Sequence, residues 1–128
     1  MVSTASDIPC PCCGFLTLEG EYGSYAICPV CDWEDDPVQL ANFTSEGGAN
    51  KKSLVQAQQT AVEKYPVHVQ LAGGLRRSTS WRQVLPSETE AANRKKEAKH
   101  WHTTAVLFES EAYWHKAASW HQPGGGAQ

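Results

Sequence analysis

The first fifty residues contain no lysine and no arginine. They hold eight acids (Asp7, Glu19, Glu21, Asp32, Glu34, Asp35, Asp36 and Glu46), so this stretch carries −8. Residues 51–128 hold all 11 basic residues and the other six acids, which makes +5. The total of −3 is therefore a near-cancellation. It excludes a strongly basic nucleic-acid coat and a polyacidic tail, and the asymmetry points to an interaction surface. No run approaches the roughly 18 apolar residues of a membrane helix. Met1 to Asp7 offers neither a basic region nor the apolar core of a secretion signal. The expected location is cytoplasmic and reducing, with no membrane partner, and disulfides are rare in that setting. Hydrophobic residues are few, at 41% of 128 residues. One small domain with a modest core follows, helped by five tryptophans, and small domains often need a staple.

Cysteine is absent outside a single short window. Cys10, Cys12, Cys13, Cys28 and Cys31 all fall between positions 10 and 31. Two CxxC pairs can be drawn, Cys10–Cys13 and Cys28–Cys31, with 14 residues between them. That spacing is close to a four-cysteine zinc pattern, and zinc takes four thiolates in a tetrahedron. Pro11 and Pro29 fix φ after the first cysteine of each pair. Gly14 and Asp32 follow the second cysteine, where a positive φ is often needed. Cys12 breaks the spacing and stays outside the ligand set, as a small buried hydrophobe or a spare thiol. A redox reading of residues 10–13 lacks the helix that such motifs usually open. Four sulfurs close the site, so the metal is structural, with no position for water or substrate.

Between the pairs, residues 15–18 and 25–27 are predicted as two strands joined by a glycine-containing turn. The fold class is α+β: a small zinc ribbon, a β-hairpin with two CxxC knuckles, followed by helices. The motifs Cys10-Pro11-Cys12-Cys13-Gly14, Thr17-Leu18, Tyr25-Ala26-Ile27-Cys28-Pro29-Val30-Cys31, Trp33-Glu34-Asp35-Asp36, Gly47-Gly48-Ala49-Asn50 and Ser53-Leu54 arrive in one order. In this the chain resembles the cysteine-rich CPCC family, small and mostly bacterial proteins, over about residues 7–65. The resemblance implies a zinc-ribbon-like domain and brings no established reaction.

Asp32, Glu34, Asp35 and Asp36 place four carboxylates within five positions. They read either as an acidic patch for a basic partner, with Trp33 beside it, or as a set of hard metal ligands. The competing reading is local. Asp36, Pro37 and Gln39 have the form of an N-cap, a first-turn proline and a capping-box partner, which predicts a helix over 37–41. Trp33 reads as a lid over the knuckle. Gly47 to Asn50 is a turn. Ser53 and Gln56 form a capping box, and Leu54, Ala57, Ala61 and Tyr65 share one helical face that Pro66 terminates.

Residues 66–86 read as a connecting segment, with a strand over 67–71 and a flexible break at Gly73-Gly74. Arg76, Arg77 and Arg82 around Trp81 resemble a nucleic-acid pairing. Residues 87–121 are predicted to be helical after a capping box of Ser87 and Glu90, with an apolar stripe of Ala98, Trp101, Ala105, Phe108 and Ala112. The β-branched residues Thr103, Thr104 and Val106 oppose that helix. Arg94, Lys95, Lys96 and Lys99 form a basic turn. His100, His102, His115 and His121 show no i,i+4 pair and read as surface residues. Residues 122–128 read as a disordered tail.

No nucleophile, base and oxyanion site can be assembled from these residues. The expected function is a zinc-binding, non-catalytic protein-interaction module. One form is a bacterial immunity or antitoxin-type protein, with Trp33, Glu34, Asp35 and Asp36 facing a basic partner. The alternative is a nucleic-acid-associated zinc ribbon acting through Arg76, Arg77, Arg82, Arg94, Lys95 and Lys96. A metal-dependent hydrolase using residues 32–36 ranks last.

Overall fold

The first cysteine turn folds the chain directly back on itself. In the computed structural model, which describes residues 7–95 and 104–116, β1 (Asp7–Pro9) pairs antiparallel with β2 (Leu16–Glu19). Asp7 faces Glu19, Ile8 faces Leu18 and Pro9 faces Leu16, with a bulge between Ile8 and Pro9. Residues 25–27 do not pair with β2, contrary to the sequence-based hairpin. They run beside residues 33–35 instead: Tyr25 N–H donates to Asp35 O (3.1 Å) and Asp35 N–H to Ala26 O (3.0 Å). Each cysteine turn thus closes its own hairpin. The tight turn brings its flanks together before the longer loop can, and short closures cost less entropy.

Helix α1 (Pro37–Ala41) begins where Asp36 Oδ1 accepts from Val38 N (2.8 Å) and Gln39 N (3.1 Å). Helix α2 (Leu54–Lys64) has the expected capping box. Ser53 Oγ accepts from Gln56 N (3.2 Å), and Gln56 Oε1 accepts from Ser53 N (2.9 Å). Its buried residues Leu54 and Ala61 lie on the predicted face, beside the partly buried Ala57 and Tyr65.

The strand expected over 67–71 is replaced by a short hairpin, β3 (Leu71–Ala72) against β4 (Leu75–Arg76). Gly73 and Gly74, with φ of +55° and +83°, form its two-residue turn, a conformation that glycine supplies without strain. They are a hairpin corner and not a break.

Helix α3 (Pro86–Lys95) starts two residues earlier than the Ser87 cap predicts. Thr89 N–H donates to Leu85 O (2.9 Å), and Glu88 Oε1 accepts from Leu85 N (2.9 Å). Pro86 sits at the first helical position, which its fixed φ suits. Burial pushes the Glu88 carboxyl up, but hydrogen bonds from Arg82 (2.8 and 2.9 Å) hold it below its ordinary 4.5. A carboxyl lowered in the folded state stabilises at pH above its ordinary value, and that stability is lost as pH falls through the lowered one. Glu88→Gln should therefore flatten the acid limb of a urea-midpoint profile below about pH 4.5. An unchanged limb would contradict this role.

The single helix over 87–121 is corrected. Residues 104–107 are in neither helix nor strand, and 3-10 turns follow at Glu109–Glu111 and Tyr113–His115. Backbone pairing holds this segment against the cysteine-rich half. Val106 N–H donates to Pro37 O (3.1 Å), Tyr22 N–H to Leu107 O (2.7 Å) and Asn42 Nδ2 to Thr104 O (3.2 Å). Tyr113 and Trp114 then bury edge-to-face against Phe43 and Tyr22 respectively. Lys96, Ala98, Lys99, His100, Trp101, His102, Thr103, Ala117, Trp120, His121 and the tail lie outside the described residues.

Candidate metal centre

Both cysteine turns have the same construction. In the first, Cys10 N–H donates to Phe15 O and Gly14 N–H to Cys10 O, each at 2.8 Å. In the second, Cys28 N–H donates to Trp33 O and Asp32 N–H to Cys28 O, each at 2.9 Å. The residue after the second cysteine has a positive φ in both, +82° at Gly14 and +68° at Asp32. Glycine takes that conformation freely, and aspartate does so better than most residues.

These turns aim four sulfurs at one point. The Cys10 and Cys31 sulfurs are 3.6 Å apart and those of Cys13 and Cys28 are 3.7 Å apart. All four lie within 4.8 Å of one another. A tetrahedron of sulfurs about 2.3 Å from a zinc ion has edges near 3.8 Å. A disulfide would require about 2.05 Å. The four cysteines are thus positioned to hold a metal ion. Cys10, Cys13 and Cys28 are buried and Cys31 is half-buried. Thr17 Oγ1 (3.2 Å) and Val30 N (3.4 Å) donate to Cys28 Sγ, as hydrogen bonds around a metal thiolate do.

The electrostatics favour a cation. Burial, with the neighbouring thiols, pushes Cys10 well above its ordinary value. Hydrogen bonds from Cys10 and Cys13 bring Cys28 down to about 7, and Cys10 and Cys12 pull Cys31 down further. Four sulfurs packed this closely, three of them buried, cannot all ionise unaided, and a divalent ion removes that conflict. Cys12 is buried beside this cluster and is not one of the four.

Arg77, Ser78 and Trp81 of the segment read as a connector clamp the first turn, together with Tyr22 and Gln58. Carbonyls of four consecutive or near residues are taken: Pro9 O by Tyr22 OH (2.6 Å), Pro11 O by Gln58 Nε2 (2.9 Å) and Trp81 Nε1 (3.0 Å), Cys13 O by Arg77 Nε (2.9 Å), and Gly14 O by Ser78 N (2.8 Å). Trp81 lies close enough to Gly14 that a Cβ there would fall 2.5 Å from its ring. Gly14→Ala combines that clash with a left-handed backbone. It should cost about 2–4 kcal/mol, read as a drop in denaturant midpoint. Trp33 is buried beside the second turn, so each turn has its own tryptophan. Residue spacing marks Trp33 because it adjoins the motif; nothing local marks Trp81.

Arg77 is withdrawn from any nucleic-acid face. Only 5% exposed, it donates to the carbonyls of Cys13, Tyr65, Pro66 and Val69 (2.6–2.9 Å) and lies over the Phe15 ring. Arg82 is paired with Glu88. Arg76 is exposed, Arg94 is exposed near Glu90 (4.0 Å), Lys95 closes α3, and Lys96 lies outside the described residues.

The acidic segment is likewise mostly internal. Asp35 is fully buried, and its Oδ2 accepts from Ser24 N (2.9 Å) and Oγ (2.8 Å). Asp36 caps α1 and accepts from Ala49 N (2.9 Å). The backbone of Glu34 is bound at both ends by the Asn50 side chain (2.8 Å each). Residues 32–36 therefore form neither a continuous acidic patch nor a ring of free carboxylates, because Asp35 and Asp36 satisfy backbone donors that burial would otherwise strand. Gln39 does not complete a capping box. It is fully buried and donates to Ser45, Asn50 and Lys52 carbonyls (2.9–3.1 Å), pinning loop 45–52.

Residues 8–70 match the family of cysteine-rich CPCC proteins. That segment belongs to the CPCC family. The match spans both cysteine turns, α1, α2 and loop 45–52, and it ends just before the β3–β4 hairpin that carries Arg76. Arg77 and Trp81, which clamp the first CPCC turn, therefore lie outside the matched segment. No curated protein matches the chain. No helix among the described residues is long and apolar enough to cross a membrane.

Proposed function

We propose that this chain is a zinc-stabilised, non-catalytic protein-interaction module. The observation that carries the reading is the closed set of four sulfurs. Cys10, Cys13, Cys28 and Cys31, clustered within 4.8 Å, would fill every position of a tetrahedral ion and leave none for water or substrate. All-thiolate, tetrahedral donors select zinc or iron–sulfur chemistry over hard cations. Bound zinc would supply cross-linking of the two turns and no reaction step. Asp35 and Asp36 are occupied structurally, which disfavours the hydrolase.

The partner face follows from what stays outside. Glu19, Glu21, Asp32 and Glu46 are exposed on a half without lysine or arginine up to residue 50. Four zinc-bound thiolates would add a net −2. A basic protein fits that field, as in the immunity or antitoxin form, through electrostatic steering. Lysine substitution at Glu19, Glu21 and Asp32 together should slow association with a captured partner and leave its melting curve near that of the parent protein. Unchanged association kinetics would reject these exposed carboxylates as the partner contact. Of the arginines named for the nucleic-acid alternative, Arg76 and Arg94 stay exposed while Arg77 is buried and Arg82 is paired, so salt-dependent binding to generic DNA or RNA is expected to be absent.

A further inference from the structure

Lys51, Lys52 and Lys64 are the only lysine or arginine residues within the matched segment 8–70. All three line one cleft of about 530 Å3 between the second cysteine turn, loop 45–52 and α2. They are exposed, and no carboxylate of the described residues pairs with any of them. Lys52 Nζ donates to Thr60 Oγ1 (3.2 Å). Thr60 stands one helical turn before Lys64, so Lys52 and Lys64 are held over the same face of α2. Three unpaired ammonium groups at one opening, in a stretch with no other lysine or arginine, attract an anion. The remaining walls suit a flat apolar body. Trp33 and Tyr65 supply rings, and Ala57 and Ala61 supply aliphatic surface. Trp33 also carries an unmet donor. It is 3% exposed, and its Nε1–H is buried with no acceptor among the described residues. The other two buried tryptophans are satisfied, Trp81 by Pro11 O and Trp114 by Glu109 Oε2, each at 3.0 Å. A buried donor left alone is costly, and an unmet one calls for a partner.

We propose that this cleft binds a small organic phosphate carrying a planar ring, of mononucleotide size. A phosphate group carries close to two negative charges and offers three acceptor oxygens. That matches three ammonium groups, each a point charge with freely rotating donors. A carboxylate brings one charge and two oxygens, and matches them less well. The ring packs against Trp33 and Tyr65, and an acceptor atom on the ligand supplies the partner that Trp33 Nε1 lacks. Asp32 and Glu34 also border the cleft and accept from hydroxyl or amino groups of the ligand. The volume lies within the range of about 300–1,000 Å3 usual for small-ligand sites. The four clustered sulfurs take no part in this binding.

The cleft depends on the fold and not on the protein-interaction reading, so the two stand or fall separately. The test is calorimetric titration of the full chain, purified under reducing conditions. The probes are adenosine 5′-monophosphate, uridine 5′-monophosphate, adenosine and inorganic phosphate. At least one nucleotide should bind saturably with a Kd below about 1 mM, and the unphosphorylated nucleoside and free phosphate should each bind at least about tenfold more weakly. Added salt should weaken the nucleotide, because exposed lysines are screened. In the double variant Lys52→Gln, Lys64→Gln, both exposed positions, the melting curve should stay near that of the parent protein. Nucleotide affinity should drop about tenfold or more, with adenosine unaffected. On saturation the assigned Trp33 indole N–H resonance should move. Failure of both nucleotides to bind in this range would overturn the proposal. So would adenosine or inorganic phosphate binding as tightly as the nucleotides, nucleotide binding that survives the double substitution, or an unmoved Trp33 resonance at saturation.

Discussion

Cys10→Ser or Cys28→Ser is expected to abolish the cooperative unfolding transition outright. Each removes one of four ligands whose sulfurs sit 3.6–3.7 Å from a neighbour. A structural zinc site contributes about 10–16 kcal/mol to folding, while a whole domain is stable by about 5–15 kcal/mol. Loss of the metal therefore exceeds what the rest of the fold can offset. A tight chelator should have the same effect on the unaltered chain, seen as collapse of near-ultraviolet circular dichroism from the buried Trp33, Trp81 and Trp114. Restored zinc should recover the signal. Cys12→Ser is the control: it swaps one buried atom outside the ligand set and should keep both metal and transition. A Cys28→Ser protein that melts like its parent would remove the staple from this account.

Arg77→Met should lower stability by about 3–5 kcal/mol. The guanidinium occupies four carbonyls, those of Cys13, Tyr65, Pro66 and Val69, and each buried acceptor stranded costs about 1–3 kcal/mol, with overlap between neighbours. It joins the first cysteine turn to the C-terminal end of α2, where carbonyls lack helical partners. Arg77→Lys should not restore the loss, because an ammonium cannot reproduce the planar fork. Urea denaturation of the zinc-loaded variants reads both effects. A surface arginine serving nucleic acid predicts the opposite result, an unchanged midpoint with weakened binding.

The legible parts of this chain are those governed by neighbours in sequence. The CxxC spacing, the positive φ at Gly14 and Asp32, the Asp36 cap and the Ser53–Gln56 box are all settled within a few residues, and each appears as read. The misread parts depend on distant partners. Residues 25–27 have strand-like composition, but the second cysteine turn decides what they pair with. The carboxylates of Asp35 and Asp36 look like a surface patch until Ser24 and Ala49 are seen to donate to them. Arg77 and Trp81 look like a nucleic-acid motif because their targets, the carbonyls of Cys13 and Pro11, are more than sixty positions away. Thr104 and Val106, whose β-branching opposes a helix, lie in a stretch that is not helical.

The central claim is that Cys10, Cys13, Cys28 and Cys31 hold one zinc ion on which folding depends. Native mass spectrometry of the chain purified under reducing conditions tests it most directly, paired with the absorption spectrum after cobalt exchange. The account predicts one zinc per chain, lost on substitution of any of these four cysteines and kept on substitution of Cys12, with a tetrahedral tetrathiolate cobalt spectrum. A folded chain that carries no metal, or that keeps its zinc without Cys28, would contradict it.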